Sequence, residues 1–191
     1  MRVQEPRQAA SMIVLRDSPE GPEVLLVERN PAQRFMGGAW VFPGGAVHDE
    51  DADHAATAAR ELREEAGIEL PRDASVVQWS RWITPEGVKV RFDTWFFVTE
   101  SPPGAEARPD GGECVAARWL RPADALAEHN RDELQLVFPT IKHLEALGRM
   151  ASVAEALEKA RTREVVPVQP RVVMREGAPR LLLPGEPGYE Q

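Results

Sequence analysis

Glu61, Glu64 and Glu65 are the residues whose types and spacing could do chemistry. On a helix they share one arc about 100° wide. Three carboxylates on one arc repel one another. A hard divalent cation such as Mg2+ or Mn2+ relieves that repulsion directly, because it takes oxygen ligands and leaves positions for water and phosphate. Upstream stands Gly44-Gly45. A glycine pair lets backbone come close to a ligand, offering a carbonyl to a metal or amides to a phosphate. A solvated face with pairs such as Arg60–Glu64 would explain the helix alone, and a tight turn would explain the glycines alone. Their occurrence together at this spacing points to one site.

The elements that must position these residues can be read in outline. Residues 10–16 and 24–28 read as strands, and 40–42 as a brief strand ended by Pro43-Gly44-Gly45. Residues 54–66 read as a helix, with Asp53 as N-cap and Gly67 just past its end. Its wheel puts Ala55, Ala59, Leu62 and Ala66 toward the core, the glutamates beside them, and Arg60 and Arg63 on the remaining side. Residues 76–83 and 88–99 read as strands, with Val88, Val90, Phe92, Thr94, Phe96 and Val98 sharing one face of the second. A strand over 114–120 and helices over 122–129, 140–148 and 152–163 follow. The last helix opens with the capping box Ser152-Val-Ala-Glu155. The proline-broken tail, 165–191, reads as extended segments. Strands on both sides of one helix, with helices late, predict a layered α/β domain and not a repeating βαβ fold.

Composition sets the bounds. The chain has 191 residues, 42% hydrophobic and 28% charged, which fits one globular domain with at most an appendage. A net charge of −8 argues against binding a nucleic acid polymer or an anionic membrane. An anionic substrate would then need a local basic patch or bound metal. One cysteine, Cys114, allows no intrachain disulfide, so a reducing, cytoplasmic setting is expected. Met1–Ala10 lacks the apolar core of a signal peptide, and no stretch approaches the ~18 apolar residues of a membrane span.

The run Arg60-Glu61-Leu62-Arg63-Glu64-Glu65-Ala66-Gly67-Ile68 matches every specified position in the second half of the Nudix box, G-x5-E-x7-R-E-U-x-E-E-x-G-U. The first half carries one or two inserted residues, so Glu50, Asp51 and Asp53 each stand as candidates for its first acid. The chain therefore resembles the Nudix superfamily. That resemblance implies a mixed β-sheet sandwiched between helices (α/β/α), with C-terminal helices and an extended tail. It implies hydrolysis of a nucleoside diphosphate linked to a second moiety. It also implies Mg2+ or Mn2+ held by Glu64, Glu65, Glu61 and the Gly44 carbonyl, with Arg60 in a structural role. Glu61 would orient or deprotonate the attacking water. Glu113, outside the box, is the leading alternative base.

Residues 25–45 resemble the coenzyme A diphosphatase signature L-L-T-x-R-S-x3-R-x3-G-x3-F-P-G-G. Arg29, Arg34, Gly38 and Phe42-Pro43-Gly44-Gly45 fall in register, while Val27 and Asn30 replace the Thr and Ser. Trp82-Ile-Thr-Pro85, Arg91-Phe-Asp-Thr94 and the Pro184–Tyr189 run are similar to acyl-CoA diphosphatases. These resemblances imply CoA or acyl-CoA as substrate, cut to 3′,5′-ADP and (acyl-)phosphopantetheine, with Arg29, Arg34 and Gly45 on the substrate. Alternatives are an ADP-ribose, nucleotide-sugar or NADH pyrophosphatase, or a ligand-sensing module without turnover. A catalytic core over 1–130 is expected, with 131–191 packed on the same domain or across a homodimer. Trp79 and Trp82 read as core or interface residues before adenine platforms, and His48 and His54 as incidental.

Overall fold

A computed structural model of the chain describes residues 5–175 and 177–190. The Met1–Gln4 part of the N-terminal expectation lies outside the described residues. Eight strands form one mixed sheet: β1 (Arg7–Arg16), β2 (Glu23–Arg29), β3 (Trp40–Val41), β4 (Gly44–Ala46), β5 (Val77–Ile83), β6 (Phe92–Glu100), β7 (Cys114–Leu120) and β8 (Pro167–Val168). The sheet runs β3-β2-β1-β6-β5-β8, with β4 also pairing β1 and β7 also pairing β2. Four helices pack on it: α1 (His54–Ala66), α2 (Pro122–Asn130), α3 (Phe138–Leu147) and α4 (Val153–Thr162).

The sheet is apolar on both faces, and this makes the layers. In β1, Met12 and Val14 pack with Leu25 and Val27 of β2 against Ala58, Leu62 and Ala66 of α1. Their neighbours Ile13, Leu15, Val24 and Leu26 face the other way. There they share a core with Trp79, Trp82, Leu144, Leu147 and Leu157, from β5, α3 and α4. Strands buried on both faces read as continuous apolar runs, as these two do. The fold is the α/β/α sandwich expected. Among the described residues, no helix is long and apolar enough to cross a membrane.

The helix α1 is set by its ends. The Asp53 carboxylate accepts the Ala56 N–H at 2.8 Å, and Gly67 closes the helix at φ 66 with its N–H on the Arg63 carbonyl. Its inner stripe differs from the wheel: Thr57, Ala58, Glu61, Leu62, Glu65 and Ala66 are buried, while Ala55 and Ala59 are half-buried. Two of the glutamates therefore face inward.

The strand expected over 88–99 begins at Phe92. Val88 to Val90 form an exposed loop, and Arg91 and Asp93 are buried. Asp93 tolerates burial because Arg81 donates to both its oxygens, at 2.8 and 2.6 Å, and Gln8 adds a third bond. In the tail, β8 joins the main sheet beside β5, and β9 (Arg171–Arg175) and β10 (Ala178–Leu182) form a separate hairpin. Tyr189 donates its hydroxyl hydrogen to the Gln169 carbonyl at 2.7 Å and stacks under Arg171, which ties the chain end to that hairpin.

Two substitutions separate capping from packing. Asp53→Ala should lower stability by about 1 kcal/mol, and Leu62→Ala by about 2–5 kcal/mol through the cavity it leaves. Urea denaturation at pH 7 measures both, and a larger loss at Asp53 than at Leu62 would contradict the packing of α1.

Candidate active site

The site forms where β4 lies against the first half of β1. The Met12 N–H donates to the Pro43 carbonyl at 2.8 Å and the Val47 N–H to the Gln8 carbonyl at 3.0 Å, so Gly44 and Gly45 sit opposite Ser11 and Ala10. No side chain fits at either glycine. A Cβ on Gly44 would collide with the Ser11 hydroxyl and the Ala10 carbonyl, and one on Gly45 would fall on the Glu61 carboxylate. The Gly44 N–H donates to Glu65 at 2.9 Å. The glycine pair is thus the surface on which the inward glutamates of α1 rest.

Arg60 does not lie on the far side of the helix, as the wheel placed it. Its side chain turns back to the site. Nε and Nη2 donate to the two oxygens of Asp51, each at 3.0 Å, and Nη2 also donates to the Ala46 carbonyl. Nη1 donates to Glu61 at 2.8 Å and Glu64 at 2.9 Å. This settles which loop acid joins the helix. Asp51 takes Arg60, the Thr57 hydroxyl and the His48 N–H, Asp53 is the cap, and Glu50 is exposed.

Burial pushes the Glu65 carboxyl up to about 7, with the Glu61 charge adding to the rise and the Gly44 N–H opposing it. Burial also raises Glu61, against the pull of Arg60, with Glu64 and Glu113 adding to the rise. Two carboxyls raised by desolvation and by neighbouring acids mark negative charge that one arginine leaves partly uncompensated. Among the described residues no three acidic, histidine or cysteine side chains converge on one point. Arg60 lies across Glu61 and Glu64 instead. The donor set of carboxylates beside a side-chain-free backbone still fits a hard cation by its chemistry.

Glu113 and Arg29 complete the wall. A bulge at Glu28/Arg29 brings Arg29 opposite Cys114 in the β2–β7 pairing, and the Asn30 N–H holds the Glu113 carbonyl at 2.8 Å. Asp110, which sequence reasoning missed, accepts the N–H groups of Gly112, Glu113 and Cys114 and fixes the approach to β7. Its place in a Pro/Gly/acid loop before a strand was the available signal. Arg29 bonds Gln33 through Nη2, while its buried Nε has no hydrogen-bond partner. Arg34 is exposed and does not line the cleft, so the turn after Arg29 keeps it from what the acids face. Arg7, unremarked in the sequence, does line it.

The cleft holds about 620 Å3. Its lining combines the acids Glu61, Glu64, Glu65 and Glu113 with apolar side chains that include Phe35, Met36, Val88, Val90 and Phe92. Trp79 and Trp82 are buried in the core, where they are no platform for a base. Phe42 and Phe96 line the cleft and are backed by the buried His143, whose ring lies 5.8 and 4.3 Å from theirs and bonds Ser80 at 2.6 Å. His48 lies at the cleft wall, and His54 stacks on Trp95 and bonds Gln8.

The Arg60 guanidinium holds Asp51 well below the usual carboxylate range, although burial opposes it. A carboxyl depressed on folding stabilises the protein fully above its unfolded pKa of 3.8, and that contribution is lost as pH falls toward the folded value. Asp51→Asn should therefore destabilise the protein at pH 7, with the gap to the unmutated protein shrinking steadily below about pH 4. Urea denaturation across that range checks it; a gap independent of pH would contradict the pairing.

The NUDIX domain family matches residues 5–139 of the 191. The Nudix hydrolase NudL of Klebsiella aerogenes is 44% identical over 62 residues, which is 32% of this chain and 51% of that protein. The acyl-coenzyme A diphosphatase NUDT19 of Xenopus laevis is 29% identical over 90 residues, 45% of this chain and 24% of that protein. The matches thus span about half or less of these curated relatives. The crystal structure of a NUDIX hydrolase from Alicyclobacillus acidocaldarius superposes with a TM-score of 0.72 at 28% identity, covering 81% of this chain and 96% of that one. The glycine pair, the Arg60–Asp51 clamp and the inward glutamates thus lie within the matched residues, and the chain belongs to the NUDIX domain family.

Proposed function

We propose that this chain is a divalent-metal-dependent diphosphohydrolase acting on a nucleoside diphosphate linked to a second moiety, with CoA or acyl-CoA as its substrate. The observation that carries the reading is that Glu61, Glu64, Glu65 and the Gly44-Gly45 backbone line one cleft, which Arg29 also lines. The Arg29, Gly38 and Phe42–Gly45 register supports the CoA part, as does the likeness to an acyl-coenzyme A diphosphatase.

Glu64, Glu65, Glu61 and the Gly44 carbonyl are the proposed ligands of Mg2+ or Mn2+. Such an ion, when bound, neutralises charge developing on the diphosphate and lowers the pKa of bound water. Arg29 lines the cleft and offers its guanidinium to a phosphate oxygen, for which a planar fork is well shaped. Gly45 lets the Glu61 carboxylate lie directly against the backbone beside the proposed diphosphate site, since no Cβ stands in its way. Glu61 or Glu113 accepts the proton of the attacking water. Arg60 touches no substrate in this scheme; it orients Glu61 and Glu64 through its bonds to both. A homodimer built through residues after 130 belongs to the same proposal, and light scattering that finds a monomer at micromolar concentration overturns that part.

Glu64 is exposed, so Glu64→Gln should leave the fold intact and lower turnover at least about 100-fold. The assay offers CoA, ADP-ribose, NADH and a nucleotide sugar with Mg2+ or Mn2+ and identifies the products. Release of 3′,5′-ADP from CoA above the other rates supports the reading. Faster cleavage of ADP-ribose overturns the substrate, and full activity of Glu64→Gln overturns the ligand assignment.

A further inference from the structure

Four of the nine large apolar side chains that the described residues expose gather at one mouth of the cleft: Phe35 (39% exposed), Met36 (42%), Val88 (39%) and Val90 (37%). They come from two loops, one before β3 and one before β6, and the ring of Phe92, the first residue of β6, lies 5.8 Å from that of Phe35. Apolar surface gathered in this way at a cavity marks a place where something apolar is covered. The five acids of the cleft, Glu61, Glu64, Glu65, Asp110 and Glu113, belong to other elements, α1 and the approach to β7.

We propose that this mouth binds a flexible aliphatic chain carried by the second moiety of the substrate. The proposal rests on the diphosphohydrolase reading for what meets the acids of the cleft. The shape of the wall favours a chain over a nucleobase. The Phe35 and Phe92 rings are tilted by 49° to one another, so they form no parallel slot for a flat base. The rest of the wall is Met36, Val88 and Val90, which fit an aliphatic chain by contact alone. Two groups beside Phe92 could still read a base edge: Arg7, opposite it in the β1–β6 pairing, and Thr84, whose hydroxyl oxygen accepts the Phe92 N–H and whose carbonyl accepts Arg91 Nε; the tilt of the rings and the aliphatic wall decide for a chain. Met36 is also held at φ 54, in the left-handed region that few residues other than glycine adopt. Non-glycine residues kept there gather at ligand clamps, and an unbranched thioether adapts to chains of varied shape.

The test separates the chain site from the chemistry. Calorimetry without metal compares octanoyl-pantetheine with pantetheine, neither of which has a diphosphate to cleave. The octanoyl compound should bind at least about tenfold more tightly, and Val88→Asp, at an exposed position, should erase that difference. Equal binding of the two compounds, or an octanoyl advantage that survives in both Val88→Asp and Val90→Asp, overturns the chain site. Hydrolysis of CoA and octanoyl-CoA is measured separately. A tenfold binding preference with no hydrolysis of either overturns the diphosphohydrolase reading and leaves the chain site standing; hydrolysis of both with equal binding does the reverse.

Discussion

One guanidinium holds the acidic helix, the loop before it and the glycine strand in a single arrangement. Arg60 spends its donors on Asp51, Glu61, Glu64 and the Ala46 carbonyl. The bonds to Asp51 and Ala46 tie α1 to the inserted loop and to β4, and those to Glu61 and Glu64 hold two glutamates of α1 itself together. A planar fork with five N–H groups can satisfy four acceptors at once, whereas an ammonium of the same charge offers three donors and no plane. Glu65 lies outside this reach and relies on the Gly44 N–H. The site is therefore internally compensated on its outer side and left negative on its inner side, next to the glycine pair.

That division depends in turn on β1. Its first half pairs β4 and its last residues pair β2, while β6 runs along its whole length. The strand can do this because Met12, Val14, Ile13 and Leu15 are buried on both faces and anchor it from either side. Gly44 is then pressed against a strand that cannot yield, and Gly45 against the Glu61 carboxylate. A methyl group at either position has nowhere to go but into β1 or the Glu61 carboxylate. The backbone comes close to the acids because the core behind it is close-packed.

The sequence made the helix legible because several signals agreed: a capping aspartate, an apolar stripe and a closing glycine. The acids were legible from spacing. Arg60 was not, since a wheel places a Cα, and a long side chain can return its head across the helix. Asp51 was hidden by the inserted residues, which left three acids at comparable spacing until the bonds to Thr57 and Arg60 distinguished them. The error at Val88–Val90 is of another kind. Alternation with Lys89 and Arg91 satisfies the period of a strand, yet Pro85-Glu86-Gly87 breaks the chain and the valines serve the mouth of the cleft. The period was read correctly, and the partner was not a neighbouring strand. His143 and Asp110 gave almost no signal, because each acts through residues distant in sequence or through backbone N–H groups.

The balance of charge decides how such a cleft can receive an anion. Five acids line it, against Arg7, Arg29 and Arg60. Arg60 is already consumed by the acids, so Arg29 and Arg7 alone face a ligand, in a chain of net charge −8. A diphosphate entering this space unaided would meet the Glu61 and Glu65 carboxylates in a partly desolvated pocket, where repulsion is stronger than in water. Those same carboxyls are raised by burial and by neighbouring acids, so they gain from any cation that sits among them. A divalent ion held by these glutamates would satisfy both demands, neutralising charge on the wall and on the diphosphate. On the proposed function, the protein's acidity, which argues against polyanions at large, is the feature that would make its choice of anion depend on a metal.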